Sequence, residues 1–448
     1  MKQRANIIDE ENVPAARSLF SKRPTLTTRL LALIISAIII SVLTIAYLTY
    51  RESSLNIFTG SSTQNDKNNV SVLPNNPKIE LKTDFSRVLH NSIISGGEFI
   101  LRMQNPDGSY KYEYYPETDT YSTENNILRH TGVVYSLLLL YEYTNEPKYL
   151  DSAKNGVGFL LQHLEYIDDD TAYIFHDNDA KLGGASLAVV ALVKLETLEK
   201  TGKYLDTIKD LTNFIMYMQE DTGKYRSFYI DDGDYNSAEE SWIYPGEAML
   251  ALVRAHAIFE DQRYLASLEK AYNYYSFAFA KDPRTEFTSW ATTAFVELYE
   301  ISPEQRYANF TFAMEDWLTS LQYLDSAPRP EFLGAYGTVD TPTITASTRT
   351  EGVADAYLLA KQLGYEEKAE KYKKSMLLAV NFLQQLQHTK ESIAPYQGAE
   401  EAEGAFVHHL GDTSARIDYT QHGVTAIIKT LTYLPRDEVT IESYLTEP

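Results

Sequence analysis

The stretches "TNEPKYLDSAKNGVGFLLQHL" (144–164), "KTGKYLDTIKDLTNFIMYMQ" (200–219) and "EDQRYLASLEKAYNYYSFAF" (260–279) are copies of one unit. Weaker copies follow as "SPEQRYANFTFAMEDWLTSLQYL" (302–324) and "YEEKAEKYKKSMLLAVNFLQQLQ" (365–387). In each, charged positions recur on one helical face, so the unit reads as an amphipathic, half-exposed helix. A more uniformly apolar helix precedes each by a few residues, which predicts a tight helical hairpin. A recurrence of this length constrains the fold more than any other feature, because one hairpin cannot bury its apolar face alone.

The apolar helices begin near Asn126, Gly184, Tyr244, Ser289, Thr348 and Arg416. An opening amphipathic helix at about 85–103 completes six outer and six inner helices. The expectation is an all-α domain over 85–440: six hairpins that resemble an (α/α)6 toroid, with an open solenoid as the alternative. Connections from outer to inner helices are mostly long, at about 104–125, 165–182, 220–241, 325–347 and 388–415. Long ordered loops in a compact domain are usually functional. They gather at the N-terminal ends of the inner helices, so the mouth of the barrel is expected there.

Ahead of the repeats, Leu30–Tyr50 is uncharged and long enough to cross about 30 Å of hydrocarbon as a helix. No small-residue cleavage site follows, so it reads as an uncleaved signal anchor. Residues 1–29 hold Arg17, Lys22, Arg23 and Arg29 close to it and would form a cytoplasmic tail, which places the main domain outside the cytoplasm, in a periplasm or at the cell surface. Residues 51–84, rich in Ser, Asn and Thr, read as a flexible stalk. The tail is net +3, so the rest of the chain carries −25 of the total −22. Such an acidic body repels nucleic acid. With no cysteine, disulfides, thiolate metal sites and Cys nucleophiles are excluded.

Polar side chains crowd the starts of the inner helices. The first carries Arg129 and His130, and the third Trp242, Tyr244 and Glu247. The fourth carries Trp290, the fifth Arg349 and Glu351, and the sixth Arg416, Asp418, Tyr419 and His422. A first-turn carboxylate can simply cap a helix, but arginine is disfavoured there by the dipole. Arginine at three of six starts therefore calls for anionic neighbours or an anionic ligand. Glu247, Glu351, Asp418 and His422 are the candidate catalytic groups. Asp418 and His422 are four apart on one face and are expected to bond to each other. Arg129, His130, Trp242, Tyr244, Trp290, Arg349, Arg416 and Tyr419 are the candidate substrate-binding groups. Tyrosines such as Tyr110, Tyr225 and Tyr336 in the loops add flat amphipathic rings of the kind that cover sugar faces.

"RMQNPDGSYKYEYY" (102–115) resembles the Gln-x-x-Asp-Gly-Ser-aromatic turn of α-toroid proteins, terpene cyclases included. The turn is structural and ties an outer helix to the next repeat. No Asp-rich protonating or diphosphate-binding motif accompanies it, which argues against terpene chemistry. Residues 85–435 are more similar to toroids acting on sugars: glucuronyl C5-epimerases, N-acylglucosamine 2-epimerases, unsaturated glucuronyl hydrolases and inverting glycosidases. None matches motif by motif, so no family's catalytic residues carry over. The resemblance implies a carbohydrate-active enzyme on a cell-envelope or exported glycan, either a hydrolase or a uronic-acid epimerase.

No phosphate-binding loop or G-x-S-x-G motif is present, and the histidines lack zinc-site spacing, so neither a cofactor nor a metal is expected. The alternative reading is a membrane-anchored module that binds glycan or protein without catalysis.

Overall fold

The computed structural model describes residues 84–229, 240–337, 341–396 and 398–445. The expected tail, anchor and stalk lie outside these residues. Among the described residues no helix is long and apolar enough to cross a membrane.

Twelve long helices alternate between outer and inner positions. They are α1 (Asp84–Arg102), α2 (Ile127–Thr144), α3 (Pro147–Leu160), α4 (Leu182–Glu199), α5 (Leu205–Tyr217) and α6 (Tyr244–Phe259). The second half comprises α7 (Gln262–Lys281), α8 (Thr285–Ile301), α9 (Gln305–Thr319), α10 (Thr345–Gln362), α11 (Glu366–Gln384) and α12 (Ile417–Tyr433). The even-numbered helices form the inner ring and each packs on the next; α12 returns to α2, so the ring is closed. The sixth hairpin joins the two ends of the domain, because α12 packs on α1. The open solenoid is thereby excluded.

Burial follows ring position. Inner α4 buries almost its whole length, Leu182–Val193 without a break, because it meets neighbours on both sides, an outer helix behind and the barrel in front. Outer α5 buries only Ile208, Leu211, Thr212, Phe214 and Ile215, an i, i+3, i+4 stripe with solvent on the other face. Three inner helices stop at a residue in the left-handed region, Asn145, Lys200 and Glu260, which turns the chain into its outer partner within a few residues.

A recurring clasp joins successive outer helices. Gln104 Nε2 donates to the carbonyl of Gly108 in its own loop (3.3 Å) and to that of Ser152 on α3 (2.9 Å). Gln219 does the same to Gly223 and to Ser267 on α7. Gln322 reaches Gly334 and Ser375 on α11, and Gln387 reaches Gly404 and Ser92 on α1. Each Gln pairs in a short β-bridge with an aromatic residue, respectively Tyr110, Tyr225, Tyr336 and Phe406. Glycine is required in the clasp: Gly108 has φ of 90°, and a Cβ there would stand 2.3 Å from the Asn155 carbonyl oxygen. The other three clasp glycines repeat this geometry. The structural role expected of the Gln-x-x-Asp-Gly-Ser turn is what these bonds perform.

The long loops also contain strands, which the all-α expectation lacks. β1 (Glu113–Tyr115), β2 (Thr120–Tyr121) and β6 (Ala415–Arg416) form one three-stranded sheet; β3 (Leu164–Asp168), β4 (Thr171–His176) and β5 (Asp179–Ala180) form another. Tyr- and Thr-rich runs such as "TAYIFH" favour extended backbone, and each hairpin satisfies the polar groups of a loop too long to remain irregular.

The clasp is open to a direct test. Gln322→Ala removes the bonds to the Gly334 and Ser375 carbonyls and the acceptor of the Ser375 hydroxyl at a buried seam, and should lower stability by about 1–3 kcal/mol. An unfolding midpoint in urea equal to wild type would show the clasp to be ornamental.

Candidate active site

At the mouth lies a cavity of about 360 Å³, lined by residues from all six inner helices. The volume is within the usual range of small-molecule sites, about 300–1,000 Å³. Its walls include Arg129, Glu247, Glu286, Trp290, Arg349, Arg416, Asp418, Tyr419, Gln421 and His422.

One wall is a charged cluster held by β6. Arg416 pairs with Glu113 of β1 in backbone register, so the sheet delivers it to the start of α12. Its guanidinium grips Asp418 at two points, Nε to Oδ1 at 3.0 Å and a terminal nitrogen to Oδ2 at 2.7 Å. It also donates to the Tyr419 hydroxyl at 2.6 Å and lies over the Tyr112 and Tyr419 rings. Arg129 of α2 approaches the same carboxylate at 3.3 Å. Asp418 is thus fully occupied, and the expected bond between Asp418 and His422 does not form.

His422 has a different partner. Its Nδ1 lies 2.8 Å from Glu351 Oε1, across from α12 to α10. An ionised carboxylate only accepts, so Nδ1 carries the proton and Nε2 is the basic nitrogen. Gln421 Nε2 stands 3.1 Å from that Nε2, and the Trp290 ring meets the imidazole edge-on at 6.5 Å. Glu351 itself does not line the cavity; it stands behind His422.

Glu247 on α6 is the third element. It is 4 % exposed, and its Oε2 faces Gly183 of α4 with no hydrogen-bond partner. Burial pushes its carboxyl from the ordinary 4.5 up to about 8, against a smaller opposing pull from Arg129. At neutral pH Glu247 is a protonated acid.

Several expected binding residues are elsewhere. His130 turns away from the mouth: Nε2 bonds the Gly156 carbonyl at 2.8 Å, and burial lowers its pKa to about 4. It is a neutral packing residue between Tyr110 and Phe159. Trp242 packs edge-on against Tyr275 and Phe287 under the Arg284 guanidinium, outside the cavity. Tyr244 flanks the cavity, pressed against Gly183 beside Glu247, without lining it. Tyr110, Tyr225 and Tyr336 are buried clasp residues, so they offer no face to a ligand. Of the aromatic candidates, Trp290 and Tyr419 line the cavity. Arg349 does so as well, with its guanidinium over the Tyr336 ring.

Glu286 and Gln421 escaped the sequence reading. Helix α8 begins at Thr285 rather than near Ser289, which puts Glu286 in its first turn. The Asp282–Pro283 pair just upstream is the signal that would have located this start. Gln421 is hidden in an apolar stripe, facing Gly132 of α2. Among the described residues no group of three or more His, Asp or Glu side chains is set to hold a metal.

The Glu247 carboxyl makes stability pH-dependent. Between about 4.5 and about 8 the unfolded chain has released a proton that the native state keeps, so stability falls as pH rises through that window. Glu247→Gln should shrink the drop in melting temperature between about pH 5 and about pH 8 relative to wild type. Equal drops would mean that the carboxyl is not held protonated.

No family model matches the sequence, and no curated protein matches it. Solved structures do resemble it. An α-1,6-mannanase of a Salegentibacter species, in complex with an α-1,6-linked mannotetraose, aligns over 79 % of this chain and 100 % of its own, with 12 % identity and a TM-score of 0.54. A D-mannose isomerase aligns over 79 % and 100 %, with 16 % identity and a TM-score of 0.59. The cellobiose 2-epimerase of Bacillus thermoamylovorans aligns over 77 % and 98 %, with 12 % identity and a TM-score of 0.57. At such identities the likeness is one of fold: this chain is an (α/α)6 toroid of the kind seen in those three proteins.

Proposed function

We propose that the protein is a carbohydrate-active enzyme that isomerises or epimerises a sugar by proton transfer. The observation that carries this is the pairing, in one cavity, of a protonated acid (Glu247) with an imidazole whose tautomer a carboxylate fixes (His422–Glu351). His422 Nε2 takes the proton from the carbon next to the carbonyl of the open-chain sugar, while Glu247 gives its proton to the carbonyl oxygen. His422 then returns the proton to the former carbonyl carbon while Glu247 takes back a proton from the adjacent enediol hydroxyl, which isomerises the sugar. Return to the original carbon after the enediol has turned its other face to His422, with the first hydroxyl reprotonating Glu247, epimerises it. A protonated acid and a positioned base in one cavity are what such chemistry needs. Placing that raised carboxyl on the cavity wall is what a proton donor to a bound sugar requires.

The charge balance favours a neutral sugar over the uronic acid expected from the arginines. Arg129, Arg349 and Arg416 face Asp418 and Glu286, with Glu351 behind His422, so no net positive charge remains for a substrate carboxylate. Trp290 and Tyr419 supply apolar faces, and Arg416–Asp418 a rigid edge for hydroxyls. The fold relatives described as a D-mannose isomerase and a cellobiose 2-epimerase lend support to the sugar reading.

A second reading, hydrolysis, rests on Glu286, an exposed carboxylate at the rim that could activate water opposite a Glu247 acid. The mannanase relative is described in an inactive form with two adjacent aspartates replaced. The lining here has no such adjacent pair.

A panel of D-mannose, cellobiose and an α-1,6-linked mannotriose, with product analysis by NMR, separates the readings. Under the first, Glu247→Gln, His422→Asn and Glu351→Gln each lower kcat/KM by about two or more orders of magnitude, whereas Glu286→Gln costs little. Glycosidic cleavage abolished by Glu286→Gln would establish hydrolysis instead. For wild type, kcat/KM should fall as pH rises through about 8, where Glu247 loses its proton.

The acid–base domain is further proposed to act on glycan outside the cytoplasm, anchored by Leu30–Tyr50 with the basic flank inside. Protease added to spheroplasts, from which any outer membrane barrier has been opened, should then degrade the toroid. A toroid that survives until the spheroplasts are lysed would contradict this orientation.

A further inference from the structure

Below the cavity the same two helices meet a second time. Lys429 lies two turns along α12 from His422, and Asp355 one turn along α10 from Glu351. Lys429 Nζ is 2.7 Å from Asp355 Oδ2 and 3.2 Å from the backbone carbonyl of Glu351 itself. Thr293 of α8 donates its hydroxyl to the same Asp355 oxygen. Both charged side chains are buried, at 12 % and 7 % exposure. Burial works against the Lys429 charge, but the Asp355 and Glu351 carboxylates hold its pKa above the ordinary lysine value.

We infer that the Lys429–Asp355 ion pair is a positioning strut for the Glu351–His422 pair, an inference that rests on the reading of His422 as the base. Two cross-links between α10 and α12 fix both the spacing of the helices and their relative height. The lower one ends on the Glu351 backbone, so it fixes where the Glu351 carboxylate begins. Without it, the upper contact is a single hydrogen bond between side chains that each retain rotamer freedom, and a misplacement of about 1 Å suffices to cost about a hundredfold in rate. A buried pair of this kind contributes little net stability compared with apolar packing, so its value lies in geometry. The other groups around it are Tyr135 of α2, Tyr433 of α12, Glu297 and Glu300 of α8 and Glu315 of α9. Glu297 is already gripped by Arg254 of α6 through three contacts, which provides an internal control: a partly buried ion pair between inner helices that does not touch the His422 pair.

The test uses the full chain and the panel sugar that wild type turns over best. Lys429→Met should lower kcat by about tenfold or more with KM within about twofold, because substrate contacts are intact. The downfield NMR resonance of the His422 Nδ1 proton, bonded to Glu351 in wild type, should move or vanish. Arg254→Met should leave both unchanged per folded molecule. Should Lys429→Met fail to fold, Lys429→Met/Asp355→Leu removes both charges and must show the same loss of kcat and the same change of resonance. If a folded variant keeps wild-type kcat and resonance, or loses no more than Arg254→Met does, the strut is overturned. The resonance needs no turnover, so it reads the strut even where the panel yields no product and the functional reading itself fails.

Discussion

The site depends on one packing event, the burial of α12 against α10, α2 and α1 together. That contact turns a row of hairpins into a ring, and it requires close approach. A Cβ on Gly96 of α1 would lie 2.5 Å from the Val424 side chain, and one on Gly132 of α2 would collide with Gln421. Because α12 is the last long helix among the described residues and is wedged between α1, α2 and α10, it brings Asp418 to Arg129, His422 to Glu351 and Lys429 to Asp355 in one step. An unclosed array would leave Asp418 without Arg129. The clasps hold the circumference against which α12 is seated, and the last of them, Gln387 to Ser92, spans the junction between α11 and α1.

The polar groups that line the barrel are arranged by depth. At the rim, where water reaches, Arg129 and Glu286 are partly or fully exposed. One layer in, each carboxyl is paired, hydrogen-bonded or protonated: Asp418 is held by arginine, Glu351 is bonded to the His422 imidazole, and Glu247 keeps its proton. Farther along the inner helices, Lys429–Asp355 and Arg254–Glu297 are ion pairs, and the wholly buried Glu315 is pushed up to about 8 by desolvation, with Thr292 donating to one of its oxygens at 2.6 Å. Desolvation is the common cause, since an ion away from water without a partner is costly. Glu247 is unusual in being buried and adjacent to the cavity without a hydrogen-bond partner on Oε2. A polar group in that condition stores a cost that a ligand can relieve.

Much of this was legible in the sequence, for reasons particular residues illustrate. The hairpins announced themselves because inner and outer helices differ in how many faces are buried, and the clasp because Gly108 must be glycine. Glu247, His422, Trp290, Arg416 and Tyr419 lie on the cavity wall as their places at helix starts implied. Partnership was not legible. Helical spacing puts Asp418 near His422, but Arg416, two residues before Asp418, takes that carboxylate, and the His422 partner comes from 71 residues away. His130 was misplaced because a helix start does not say which way a side chain turns, and its own side chain turns outward to α3. Glu286 was missed because the boundary of α8 was set four residues late. β6 was missed because a two-residue strand draws its partner β1 from a distant loop, and β3, β4 and β5 because a hairpin inside one loop adds no helical repeat to follow.

The central claim is that His422 and Glu247 move a proton on a sugar. The most direct measurement is NMR of D-mannose and cellobiose incubated with the full-length protein in heavy water. The account predicts that deuterium enters the carbon next to the carbonyl with wild type and that none enters with His422→Asn. Cleavage of a glycosidic bond with no deuterium at that carbon, or exchange that survives His422→Asn undiminished, would contradict it.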